Sequence, residues 1–236
     1  SDVVLEADLG LIDVAWAKKD TESKKILAMQ EARANELDRL QKTMEENGQA
    51  EARVRLTITG GDLNMLQQTG SSEGGDPTIV IQSQPPTKYP SAFYEHGVMV
   101  TLASGRANPY EFGAGHKTLQ YWPRLLNLQL ATMQQCGEAL WLTPSAHVTG
   151  GSVSNVFTCK DGTLFTPIAQ GEEDINNEPS ATLQGITRQA IMEIADDLGV
   201  GTSKTTLTID DILSADEVFL TNSSWGVLPV VGLKVS

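Results

Sequence analysis

The chain has 236 residues, 40% hydrophobic and 20% charged, so it can bury a core large enough to offset its ordering entropy, and a disordered chain is excluded. Asp and Glu number 30 against 17 Lys and Arg, a net charge of -13 that disfavours a phosphate-backbone partner and makes nucleic acid an unexpected ligand. No apolar run reaches the roughly 18 to 20 residues of a membrane span, so a soluble chain without membrane association is expected.

The length fits one large domain or two small ones. Two cysteines, Cys136 and Cys159, make no disulfide framework and match no metal-ligand spacing, which points to a reducing, cytoplasmic setting. No basic and apolar leader opens the chain at Ser1, so no secretory signal is expected.

From Thr21 to Asn47, apolar residues recur at helical spacing among charged ones, predicting one or two surface helices stopped by Gly48. Arg53 to Thr59 alternates Val54, Leu56 and Ile58 with Arg55, Thr57 and Thr59, the pattern of a half-buried strand. Leu66 to Asp76 reads as a loop, Thr78 to Ser83 as a short buried strand, and Gly97 to Ala103 as a further strand. The Gly-rich stretch Ser104 to Gly115 is the expected linker, dividing a small N-terminal α/β domain (1–115) from a larger C-terminal domain (116–236).

Leu119 to Cys136 predicts a helix, with Pro123 tolerated near its start. Strands are expected over Glu138 to Leu142 and Val153 to Cys159, and Asp161-Gly162 should turn a hairpin into Leu164 and Phe165. After a polar loop, Gln170 to Ser180, a helix runs from Thr187 to Leu198 and stops at Gly199. A short helix over Ile209 to Ala215 and a buried strand over Glu217 to Leu220 complete the expected elements.

Several familiar motifs fail on spacing. Gly113 to Thr118 lacks the glycine directly before Lys117 that a phosphate loop requires, and Gly150 to Ser154 is not a nucleophile elbow. His96, His116 and His147 never stand four apart, so no zinc pair forms on a helix face and no metal is expected. Lys117 follows the Gly-rich stretch and precedes an apolar helix. An amine desolvated in a domain cleft has a lowered pKa and suits Schiff-base chemistry, but a surface lysine at a helix start satisfies the same position. Leu183 to Arg188 places a Gly turn, backbone amides and the Thr187 hydroxyl at a helix N-terminus, where free N–H groups and the helix dipole favour phosphate. Thr221 to Ser224 could add donors to the same anion. Taken singly, these are a helix cap and a loop.

In order, Lys117 to Tyr121, Ser154 to Pro167, Leu183 to Arg188, and Asp216 to Val230 together resemble the class IV aminotransferases, over roughly residues 50 to 236. That family includes branched-chain and D-amino-acid aminotransferases and 4-amino-4-deoxychorismate lyase. The resemblance implies the fold-type IV pyridoxal 5'-phosphate fold, of class α/β (α+β), with the cofactor between two domains, and a homodimer. By position it implies that Lys117 forms the cofactor Schiff base and shuttles the substrate proton. Ile186, Thr187, Asn222 and Ser223 would bind the phosphate, Leu183 would pack on the ring, and Tyr121 would lie beside it. The implied reaction moves an amino group between an amino acid and a 2-oxo acid. The alternatives are the lyase reaction, forming 4-aminobenzoate and pyruvate, and a non-catalytic family member.

Three departures accompany the resemblance. Gly150 stands where the family has a glutamate that pairs with the pyridine nitrogen, so carbanion stabilisation should be weaker and Gly150→Glu should speed the chemical step. Gly60 stands where many members carry an arginine for the substrate carboxylate. Family members carry upstream strands with a phosphate-binding arginine and continue past Ser236, so both ends are expected to be incomplete. Arg39 imitates that arginine's local motif but stands too close to the strand starting at Arg53.

Overall fold

The computed structural model describes residues 35, 37–59, 78–174 and 178–235. They fall into two compact units divided between Lys88 and Tyr89. In the first, helix α1 (37–46) ends at Gly48, whose φ of +65° is readily adopted by glycine. Strand β1 (Arg53–Ile58) pairs antiparallel with β2 (Ile79–Gln84), Arg53 opposite Gln84 and Ile58 opposite Ile79. Val54 and Leu56 are half-buried and Arg53 and Arg55 exposed, the alternation that the sequence predicts, although Ile58 is also exposed. The second strand was expected to be buried; instead β2 leaves Ile79 and Val80 exposed, because its sheet has two strands among the described residues. The helical pattern before residue 35, the loop over 66–76 and Gly60 lie outside the described residues.

The second unit is built on a curled, mixed sheet in the order β5-β4-β3-β10-β9-β6-β7-β8. These strands are β3 (Val98–Arg106), β4 (Glu138–Leu142), β5 (Val148–Gly151), β6 (Asn155–Lys160), β7 (Thr163–Pro167), β8 (Gly201–Thr205), β9 (Glu217–Asn222) and β10 (Gly226–Lys234). Helices α2 (Ser91–His96), α3 (Trp122–Met133), α4 (Ile186–Asp197) and α5 (Ile209–Ser214) accompany it. The sheet curls until its two edges approach, and the Val148 amide of β5 donates to Leu207 O, just beyond β8, at 2.7 Å. Val100, Leu140, Val156, Leu220 and Leu228 from five strands, with Ile212 of α5, fill one core cluster. A second, smaller-residue core of Ala103, Ala131, Ala139, Cys136 and Trp141 includes a buried residue of α3. No helix among the described residues is long and apolar enough to cross a membrane.

The strands expected at Glu138 and Val153 and the helices expected at Leu119, Thr187 and Ile209 are present within a few residues. Asp161 and Gly162 both have positive φ, as a tight hairpin between β6 and β7 requires. The boundary near 115 is where structure and sequence reading differ. β3 lies between β4 and β10, so residues 98–106 belong to the larger unit and the Gly-rich stretch is a loop from β3 to α3. Its glycines serve packing: a Cβ on Gly115, which has φ +68°, would lie 2.9 Å from Ser180 O. Asn127 of α3 accepts from the Ser104 amide at 2.8 Å, where the β3 register with β4 shifts, and so fixes the helix on the sheet.

Arg188 of α4 is 1% exposed and gathers the loops that follow β7. Its guanidinium donates to Thr166 Oγ1, Pro167 O and both carboxylate oxygens of Glu172, which also pairs with Lys204 at 2.7 Å. Burial pushes the Glu172 carboxyl up, but hydrogen bonds from Arg188 and Lys204 outweigh it and hold the group at about 2 against an ordinary 4.5. The folded state therefore binds this proton less readily than the unfolded chain. Stability from this group is complete above pH 4.5 and lost as pH falls toward 2. In Glu172→Gln, urea midpoints measured across that window should fall less steeply than in the parent chain. At neutral pH the variant should be less stable by about 3 kcal/mol, because Arg188 keeps its charge without its carboxylate.

Candidate active site

Two turns meet at Asn155, the first residue of β6. The first precedes α4, where Gly185 (φ +64°) leads into the helix with no side chain capping it, so the N–H groups of the first turn face outward unpaired by a cap. Asn155 donates from Nδ2 to Leu183 O at 2.7 Å, and its amide occupies the space a Gly185 Cβ would need, with Cγ 2.9 Å from that position. The second turn follows β9. Asn155 is the ladder partner of Thr221, and Asn222 Oδ1 accepts from the amides of Ser224 and Trp225 at 2.9 and 3.0 Å. Asn222 also donates to Val153 O at 3.2 Å, tying this turn to the segment leading into β6.

Asn155 thus links the Leu183 carbonyl to Thr221, the residue before Asn222. Thr187 is half-buried and Ser223 exposed, which leaves both hydroxyls accessible to a ligand. Thr221 Oγ1 is buried and has no hydrogen-bond partner among the described residues.

Lys117 and Tyr121 lie on the loop before α3. Gly115 packs on Gln170 and Ser180, while the Gln170 amide donates to Thr182 O and Gln184 Nε2 to Gln170 O. The loop carrying Lys117 therefore leans on the segment that runs into Leu183. Lys117 itself is exposed, and among the described residues no hydrogen bond or ion pair joins its side chain to the two turns. Burial pushes the Tyr121 hydroxyl up, with Arg124 and Glu138 as its charged neighbours. Arg124 lies 5.1 Å from the Trp141 ring centroid and donates to Gly151 O at 2.9 Å. Burial pushes its guanidinium down.

Sequence reasoning missed Asn155, Arg124 and Glu138. The one available signal was a carboxylate inside the apolar run Glu138 to Leu142. Glu138 is fully buried and accepts from the Ala139 and Ser152 amides on one oxygen, and from the Val153 amide and Ser154 hydroxyl on the other. Burial nevertheless pushes its carboxyl up. Gly150 has φ +129°, and a Cβ there would lie 2.8 Å from Ser154 O. A glutamate at this position would therefore be strained, a cost the sequence did not reveal.

The donor set suits a phosphate monoester: helix-terminal amides, the Thr187 and Ser223 hydroxyls, and a turn kept open by Gly185. The family model for amino-transferase class IV matches residues 22–233. The chain belongs to the class IV aminotransferases. These are pyridoxal 5'-phosphate enzymes, a cofactor with the phosphate the two turns fit. The branched-chain-amino-acid aminotransferase of Pseudomonas aeruginosa is 32% identical over 140 residues, covering 59% of this chain and 39% of that protein. The solved 4-amino-4-deoxychorismate lyase from Pseudomonas aeruginosa aligns at 25% identity and TM-score 0.66, over 77% of this chain and 63% of that one. The Escherichia coli branched-chain amino acid aminotransferase shares the fold at TM-score 0.72 and 23% identity, over 98% of this chain and 70% of that one. The chain therefore has the mixed α/β fold of fold-type IV enzymes, and it spans about two fifths of the length of that curated relative.

Gly150→Glu should lower thermal stability by about 1 to 3 kcal/mol, because it forces a side chain into positive φ against a carbonyl. A melting curve unchanged from the parent would show that the backbone at this position relaxes freely.

Proposed function

We propose that this chain is a pyridoxal 5'-phosphate-dependent class IV aminotransferase, moving an amino group between an amino acid and a 2-oxo acid. The observation that carries the reading is the meeting of the α4 N-terminus and the 222–225 turn at Asn155, with the Lys117 loop packed beside Leu183. When bound, the cofactor supplies the electron sink that stabilises negative charge on substrate Cα. Lys117 Nζ provides the amine for covalent attachment and takes the proton from that Cα. The Ile186 and Thr187 amides, the Thr187 and Ser223 hydroxyls and the Asn222 turn hold the phosphate. Leu183 would pack on the ring face, and the Tyr121 hydroxyl would stand beside the ring.

Branched-chain amino acids are the first donors to assay, because the curated relatives named above act under that name. The free thiols of Cys136 and Cys159 agree with a reducing, cytoplasmic setting. Assembly as a homodimer belongs to the same reading: Tyr110, Phe112, Leu119, Trp122 and Met133 leave a largely exposed apolar surface around α3 that a second copy would bury.

The lyase reaction is the second reading, favoured by the structural likeness to 4-amino-4-deoxychorismate lyase and by glycine at position 150. The two part on product: 4-aminobenzoate without a 2-oxo acid acceptor indicates the lyase, and acceptor-dependent amino transfer the aminotransferase.

Borohydride reduction of the chain incubated with pyridoxal 5'-phosphate should fix the cofactor on the peptide containing Lys117, read by mass spectrometry. Lys117→Ala should lose both the adduct and turnover, the latter by at least about a hundredfold. Labelling at another lysine, or none, would overturn the assignment, and turnover lost in Lys117→Ala would eliminate a non-catalytic family member.

A further inference from the structure

Glu138 is a fully buried carboxylate, and each of its four partners is a donor. Three of those donors, at Ser152, Val153 and Ser154, lie in the short link between β5 and β6. The Val153 peptide is held at both ends: its N–H donates to Glu138 Oε2 at 3.2 Å, and its carbonyl accepts from Asn222 Nδ2 at 3.2 Å. On its other side, Asn222 Oδ1 fixes the amides of Ser224 and Trp225. A path of hydrogen bonds therefore runs from the buried carboxylate, through the backbone of Val153, to the turn that carries Ser223.

Close packing keeps the path short. A Cβ on Gly151 would lie 2.6 Å from Glu138 Cγ, so the glycine lets the carboxylate sit directly beneath the link. An aliphatic side chain at 138 would bury three N–H groups without acceptors, which argues for a polar role beyond filling space.

We propose that Glu138 is a positioning residue for the phosphate-binding turn, acting through the Val153 peptide on Asn222. The proposal rests on the cofactor reading above. Its distinctive consequence falls chiefly on the phosphate, because the path through Asn222 ends at the turn holding Ser223.

The test compares affinities of the full chain for pyridoxal 5'-phosphate and for pyridoxal, which lacks the phosphate, by absorbance or fluorescence titration. In Glu138→Gln the amide nitrogen must face two of the four donors in either orientation. The ratio of the two affinities should fall about tenfold while pyridoxal binding changes little. Asn222→Ala should reduce the same ratio, and the double variant should be no worse than Asn222→Ala alone. Equal losses for both ligands, or additive losses in the double variant, would leave Glu138 a purely structural residue and overturn the proposal. Should Glu138→Gln not fold, the unmutated chain decides by amide hydrogen exchange. Exchange at Val153 and Ser152 should slow with pyridoxal 5'-phosphate but not with pyridoxal, and equal protection by both overturns the relay. A parent chain binding neither compound would sink the cofactor reading together with this one, whereas phosphate-selective binding unaffected at 138 sinks this one alone.

Discussion

The candidate site depends on one side-chain amide, that of Asn155. Its nitrogen holds the Leu183 carbonyl and its oxygen side fills the hollow left by Gly185, while its backbone pairs with Thr221. A single short residue therefore fixes how far the α4 N-terminus stands from the turn after β9. Such a bond is worth only about 1 kcal/mol net, yet its loss leaves a buried donor and carbonyl unpaired, at a cost of about 1 to 3 kcal/mol. Asn127 and Asn222 do the same kind of work, the first fixing α3 to Ser104 of β3 and the second closing its own turn while holding Val153. Asn127 and Asn222 each accept and donate to backbone groups at once, which a carboxylate, having no donor, could not do.

Two acidic residues, Glu172 and Glu138, illustrate opposite solutions to burial. Glu172 is held by two cations and stays ionised far below the ordinary range. Glu138 is held by three amides and a hydroxyl, and desolvation prevails, so its carboxyl moves up. Charge pairing dominates where loops following β7 must be gathered, and backbone donors dominate where a link between strands must be shaped. Arg124, stacked on Trp141 and bonded to Gly151 O, adds positive potential beside Glu138 without contacting it.

Features encoded locally were legible in the sequence. The apolar run of β4, the Asp161-Gly162 turn, the Pro123 start of α3 and the Gly185 entry to α4 each depend on neighbours a few positions away. The strands overlooked were those whose pattern is set by partners. β5 (Val148–Gly151) and β8 (Gly201–Thr205) are the two edges of the sheet, short and rich in Gly, Thr and Ser, as edges tolerate. β10 contains Pro229 and Gly232, and its register with β3 shifts between Val230 and Gly232. The turn into α4 was readable because a helix start is a local event. The roles of Asn155 and Glu138 were not, since Asn155 acts across 28 positions and Glu138 across 16.

The place of β10 has a consequence for how this chain comes to be made. It inserts between β9, antiparallel, and β3, parallel, bringing Lys234 beside Thr101. On the ribosome, β3 emerges before its partner β10, so one side of a strand that is central in the finished sheet stays open until β10 follows. Such an open side is a template for another nascent chain, and the parallel pair that closes it spans the largest loop entropy in the sheet. Sheet completion therefore depends on the strand pair with the longest separation in sequence.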